Sequence, residues 1–253
     1  MSKNLEKLSP TNRFTNRAGN YAKYRPSYPA VIIDFLQQEA GLKKDSTIAD
    51  IGSGTGIFSA LLLESGYQVW GVEPNREMRE AGEAYLKDYT KFTSVNGKAE
   101  STSLVDRSID LICVAQAFHW MEPDTSAREF KRILKPGGRI LLLWNIRLTN
   151  TPFLQAFEQL KIDFGTDYLA TRMSKEPDIN KFFAPAGMKY TCLPHSQLLD
   201  FEGLKGQLLS TSYIPLEGDR NKQMLHALEL LFERYQENRM VQIEYETKLY
   251  LSH

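Results

Sequence analysis

Cysteine is nearly missing from this chain. There are two among 253 residues, Cys113 and Cys192, too few for a disulfide framework. Cys113 lies inside an apolar run and reads as core filler. Histidine is scarce too, with four copies, and no His/Cys cluster or gathering of acids has the spacing of a metal centre. The metal expectation is therefore none. Neither sign of charge dominates: 31 Lys and Arg stand against 31 Asp and Glu, a formal net charge of zero. No basic field is available to wrap nucleic acid or hold an anionic membrane. No apolar run approaches the roughly 20 residues of a membrane-spanning helix. The polar N-terminus does not read as a signal peptide, so a cytoplasmic setting is expected. A G-x-S-x-G elbow, a Walker loop, internal repeats and low-complexity tracts are all absent. The apolar fraction, 42%, supports a sizeable core. At 253 residues the chain is one large domain or a core with an attached cap, and small substrates fit these absences better than polymers, with no nucleic acid and no membrane expected as partner.

The chain is organised around Thr47-Ile48-Ala49-Asp50-Ile51-Gly52-Ser53-Gly54-Thr55-Gly56. It reads as a short buried strand entering a glycine turn that opens a helix, Ile57 to Glu64. Glycines there admit positive φ and let a ligand approach the main chain, at a helix start whose N–H groups are free. A second apolar strand, 68–72, ends in Glu73-Pro74, where an acid can accept hydrogen bonds from ribose hydroxyls. The dinucleotide fingerprint G-x-G-x-x-G would need a third glycine at Ile57. The chain has G-x-G-x-G instead, which argues against a nicotinamide-dependent oxidoreductase.

With Asp50 before the loop and Glu73 after the next strand, this pattern resembles the class I S-adenosylmethionine (SAM)-dependent methyltransferases. The resemblance implies SAM as cofactor, held by Asp50, Gly52, Ser53, Gly54, Gly56, Glu73 and Pro74. It also implies an adenine contact after the third strand, where Ala99 and Glu100 match by position, and a contact to Gln116 after the fourth. The turn Leu134-Lys135-Pro136-Gly137-Gly138 is frequent in the same family.

Alternating apolar runs at 47–51, 68–72, 92–95, 109–115 and 139–144 are separated by helical patterns at 57–64, 76–86 and 125–134 and a short turn near Leu104. This predicts βαβ units and a sheet covered on both faces. Residues 150–235 read as helices at 153–164, 178–183, 201–210 and 220–236, with a strand at 189–193. Residues 240–251 read as a closing strand. Phe14, Ala18, Tyr21 and Tyr24 fall at helical spacing before Arg25-Pro26, and 30–40 continues as a helix closed by Gly41. The expected fold is α/β: a doubly wound, mostly parallel, seven-stranded Rossmann-like sheet. In it 14–40 form an N-terminal helical lid, 46–148 the SAM-binding core, 150–235 a C-terminal helical cap and 240–251 the last strand, all within one domain, 1–253. The resemblance places the lid over the cofactor mouth, with Tyr24 and Arg25 near the substrate.

Ligands of open α/β sheets sit outside the carboxyl ends of the strands, which selects Gln116-Ala117-Phe118-His119-Trp120. This stretch, followed by Glu122 and Asp124, resembles a small-molecule subgroup near the trans-aconitate methyltransferases. Phe118 and Trp120 can wall a small substrate. His119 is either a base for the acceptor or a structural imidazole. Arg147, at the end of the fifth strand, is either a two-point clamp for a carboxylate or a surface residue. Tyr213 can reach the pocket from the cap. The leading expectation is methyl transfer from SAM to a small organic acceptor, with a carboxylate first. The alternatives are a non-catalytic SAM-binding or interaction module and an O- or N-methyltransferase of an uncharged molecule. A nucleic-acid methyltransferase is disfavoured, because the asparagine-proline-proline-aromatic signature is missing after the fourth strand.

Overall fold

A computed structural model describes residues 24–166 and 178–253. The lid residues Phe14, Ala18 and Tyr21 lie outside the described residues. Seven strands form one sheet in the order β3-β2-β1-β4-β5-β7-β6. The strands are β1 (Thr47–Ile51), β2 (Gln68–Val72), β3 (Phe92–Val95), β4 (Ile109–Ala115), β5 (Leu134–Arg147), β6 (Met188–Leu199) and β7 (Val241–Ser252). β1 to β5 pair in parallel, and β7 runs antiparallel between β5 and β6. The order reverses beside β1, whose neighbours are β2 and β4, and this opens the crevice in which such sheets bind ligands.

Alternation of side chains across the pleat builds two cores. Ile48, Leu111, Cys113, Leu141 and Leu143 face α1 (Val31–Glu39) and α2 (Ile57–Glu64). Ala49, Ile51, Ile112, Val114 and Leu142 face the opposite way, with Phe130 and Ile133 of α4 (Pro123–Ile133). Each of these larger side chains contributes about 1.5–3 kcal/mol by leaving water. α3 (Arg76–Tyr85) starts at Asn75, whose side chain accepts the Met78 N–H at 2.9 Å, and α4 starts at Glu122, which accepts the N–H groups of Asp124 and Thr125. These are ordinary N-caps for otherwise orphaned donors.

A third apolar cluster joins α5 (Pro152–Phe164), α7 (Phe201–Leu209), α8 (Gly218–Tyr235) and the early part of β7. It holds the cap against the carboxyl end of β5. The short α6 (Ile179–Phe183) instead adds Phe183 to the core on the α4 side.

Three expectations on secondary structure need correction. The Lys135–Gly138 turn does not separate helix from strand: α4 runs straight into β5. The turn is an irregularity within that strand, opposite Ile109–Leu111, with Gly137 at φ 80°. The helical turn near Leu104 is absent; Ser103 and Arg107 take positive φ, and the segment passes as loop. The expected strand at 189–193 extends to Met188–Leu199, because β7 offers it a partner over its whole length.

Candidate functional site

A cavity of about 690 Å³ opens at the carboxyl ends of β1, β2, β4 and β5, within the size range of small-ligand sites. Its cofactor end is built around the glycine turn. Gly52 has φ +72°, and a Cβ there would stand 2.6 Å from the Cβ of Ala117. Only glycine fits both the backbone and the space. Gly54, at φ +57°, donates its N–H to Glu73 Oε2 at 2.9 Å, and Asn75 N–H donates to Oε1 at 2.8 Å. Two backbone donors thus fix the Glu73 carboxylate at the end of β2. Burial raises its pKa, while those same hydrogen bonds pull the other way. Ser53 and Pro74 line the same end.

The third loop closes the next wall. Ala99 and Glu100 line the cavity with Lys98. Glu100 Oε1 accepts the Glu122 N–H at 2.9 Å, which ties this loop to the start of α4. After β4, Gln116 adopts φ 58°, and its side-chain amide donates to the Asn145 carbonyl at 3.0 Å. Asn145 in turn donates to the Ser27 carbonyl and accepts from the Thr247 hydroxyl. One buried amide therefore pins the end of β5 and the middle of β7 to the chain entering α1.

His119 and Trp120 line the cavity with ring centroids 4.8 Å apart. His119 is exposed, but toward the cavity. The surrounding protein disfavours the imidazolium and pushes its pKa down to about 4. At neutral pH the ring is an uncharged donor and acceptor, poorly matched to the task of general base.

The far end is basic. Arg25, Arg147 and Lys161 reach the cavity together with Thr211, Ser212 and Tyr213 from the cap. Arg147 is neither a free clamp nor a surface residue: its guanidinium binds the Glu158 carboxylate of α5. It also lies 5.4 Å from the Phe157 ring centroid.

Four residues expected at the site stand outside the cavity lining. Asp50 is fully buried and its Oδ2 accepts the Ser59 hydroxyl at 2.6 Å, so it braces α2 against β1. Gly56 caps α2 at φ 83°, and a Cβ there would stand 2.6 Å from Leu86, so packing as well as backbone conformation favours glycine. Phe118 is completely buried against Phe182, 4.5 Å between centroids, because the short 3₁₀ turn that presents His119 and Trp120 rotates it into the core. Tyr24 lays its ring on the backbone of α7 at Gly206.

Lys161, Asn145 and Lys98 were missed. For Lys161 a signal existed. In α5, Leu154, Phe157, Glu158 and Lys161 recur at helical spacing, so two opposite charges share the apolar face. Asn145 carries no such signal, because its value comes from three partners distant in the chain.

Residues 49–142 match a family model described as a methyltransferase domain. The chain is 39% identical over 134 residues to an uncharacterized methyltransferase of Mycobacterium tuberculosis, covering 53% of this chain and 52% of that one. The chain therefore spans about half the length of the mycobacterial relatives it matches. It is 27% identical over 215 residues to an uncharacterized methyltransferase-like protein of Schizosaccharomyces pombe, covering 85% and 83%. A solved structure of a candidate type II methyltransferase from Anaeromyxobacter dehalogenans superposes with a TM-score of 0.68 at 18% identity, over 91% of this chain and 98% of that one. The last comparison establishes the fold, the Rossmann-like methyltransferase fold. A glycine cradle that a Cβ would fill, beside an acid oriented by two backbone donors, fits a ribose-bearing cofactor. Residues 49–142 are thus similar to a methyltransferase domain, and the glycine cradle beside Glu73 fits S-adenosylmethionine as its cofactor.

Proposed function

We propose that this chain transfers a methyl group from S-adenosylmethionine to a small organic acceptor, with a carboxylate as the leading acceptor. The observation that carries this reading is the continuity of one cavity, from the glycine cradle and Glu73 at one end to Arg25, Arg147 and Lys161 at the other. When bound, the cofactor supplies an electrophilic methyl on a sulfonium. Glu73 would hold the ribose, and the wall at Ala99 and Glu100 would take the adenine. Gln116, anchored on the Asn145 carbonyl, and Trp120 would then flank the acceptor. Their task is to align an acceptor oxygen with the methyl group and exclude water.

A carboxylate oxygen already carries the attacking lone pair, so no proton need be removed. That agrees with His119, whose lowered pKa suits an orienting group better than a base. The resemblance of Gln116–Trp120 to the trans-aconitate subgroup supports the same acceptor class. A non-catalytic SAM-binding module is the rival reading. The test is incubation with methyl-labelled SAM and a metabolite extract, followed by mass spectrometry. A small acid that gains one methyl group and is released supports the proposal. SAM binding with no labelled product from any fraction favours the rival.

A further inference from the structure

The acceptor end of the cavity holds more positive than negative charge. Arg25, Arg147 and Lys161 line it, and the acid beside them, Glu158, is engaged by Arg147. Lys161 is 2% exposed. Its Nζ rests 4.2 Å from the centroid of the Phe157 ring, and no oxygen among the described residues lies in hydrogen-bond or ion-pair range of it. Among the described residues, its closest partner is a ring face, with Glu158 nearby but engaged by Arg147; this is an unfinished arrangement, since buried cations are ordinarily paired.

We infer that Lys161 is the anchor for an anionic group of the methyl acceptor, its Nζ forming the ion pair that no described residue makes with it. Burial and the neighbouring Arg147 and Arg25 hold the Lys161 pKa well below its ordinary value, and Glu158 offsets this only in part. An incoming carboxylate or phosphate removes that imbalance. The position is also suitable: α5 packs behind the end of β5, so an anion at Lys161 leaves the rest of a small molecule facing Trp120 and the cofactor end. The inference rests on the methyltransferase reading for what the anion belongs to, but its test does not depend on turnover.

Titration calorimetry measures the binding of fumarate, and separately of inorganic phosphate, to the protein saturated with S-adenosylhomocysteine. Fumarate is expected to bind the wild type. Lys161→Met keeps the packing on Phe157 and removes the charge, and it should weaken that binding at least about tenfold. Lys161→Arg should restore most of it. Phosphate binding in place of fumarate, with the same loss in Lys161→Met, supports the anchor and assigns it a phosphate-bearing acceptor. Should Lys161→Met fail to fold, Lys161→Gln takes its place.

Three results overturn the inference: a wild type that binds neither anion, a Lys161→Met variant that binds both as before, or a variant that loses affinity for S-adenosylhomocysteine alone. The last would assign Lys161 to the methionine carboxylate of the cofactor. Persistent anion binding through Lys161 with no methylation of any compound would sink the methyl-transfer reading and leave the anion site. Methylation of an uncharged acceptor, unaffected in Lys161→Met, would do the reverse.

Discussion

Asp50→Asn separates bracing from cofactor binding more cleanly than any other change. The carboxyl of Asp50 is fully buried, holds one hydroxyl hydrogen bond from Ser59, and leaves Oδ1 without a partner. Burial is the largest influence on it. Together with the nearby negative charge of Glu73, it outweighs the Ser59 hydrogen bond and lifts the pKa from 3.8 to about 7. The folded state therefore binds the Asp50 proton more tightly than the unfolded chain. Stability from this group is fully present below about pH 4 and declines as pH rises toward 7, where the folded protein also ionises. A change from 3.8 to about 7 corresponds to about 4 kcal/mol lost across that window, at about 1.4 kcal/mol per pKa unit. Asparagine is neutral at every pH and its Oδ1 still accepts from Ser59, so the variant should lack this decline. Denaturant midpoints measured from pH 4 to 8 on both proteins provide the assay, with the difference between their curves as the readout. Near pH 8 the variant should be the more stable, and its affinity for S-adenosylmethionine should stay within about threefold of wild type, since Asp50 is outside the cavity. Parallel curves, or a tenfold loss of cofactor affinity at unchanged stability, would refute the reasoning.

Glu73→Ala removes the acceptor of two backbone N–H groups as well as the expected ribose contact; cofactor affinity by calorimetry should fall about 10- to 100-fold, the worth of one charge-assisted hydrogen bond or more. Arg147→Ala breaks the ion pair with Glu158 and should cost about 3 kcal/mol in a denaturant melt, the low end for a broken buried pair because Lys161 stays nearby; a change under about 0.5 kcal/mol would mean the pair is effectively solvated. His119→Ala should lower kcat/KM by less than about tenfold on a carboxylate acceptor. With its pKa near 4, His119 should contribute no inflection between pH 6 and 8, so an inflection there that vanishes in the variant would restore it as a base.

Local sequence was enough for the elements whose cause is local. β1, β2, β3 and β4 and helix α2 could be read at their observed bounds, because apolar runs bracketed by glycines and caps report burial and turn geometry directly. The glycine cradle and Glu73 were legible for the same reason: a positive φ and a strand end are properties of a few consecutive residues. Side-chain direction was not legible in this way. Phe118 and Trp120 are two residues apart in one motif, yet a single 3₁₀ turn sends the first into the core and the second into the cavity. Asp50 and Gly56 belong to the glycine motif and still stand outside the cavity lining, Asp50 against Ser59 and Gly56 against Leu86. Tertiary structure alone brings Arg25, Arg147 and Lys161 to one end of one cavity, from three segments separated by more than a hundred residues of chain in one case. It does so because α5 packs its apolar face into the cluster at the end of β5 and the start of β7, and that burial brings Lys161 to the cavity that Arg25 and Arg147 also line.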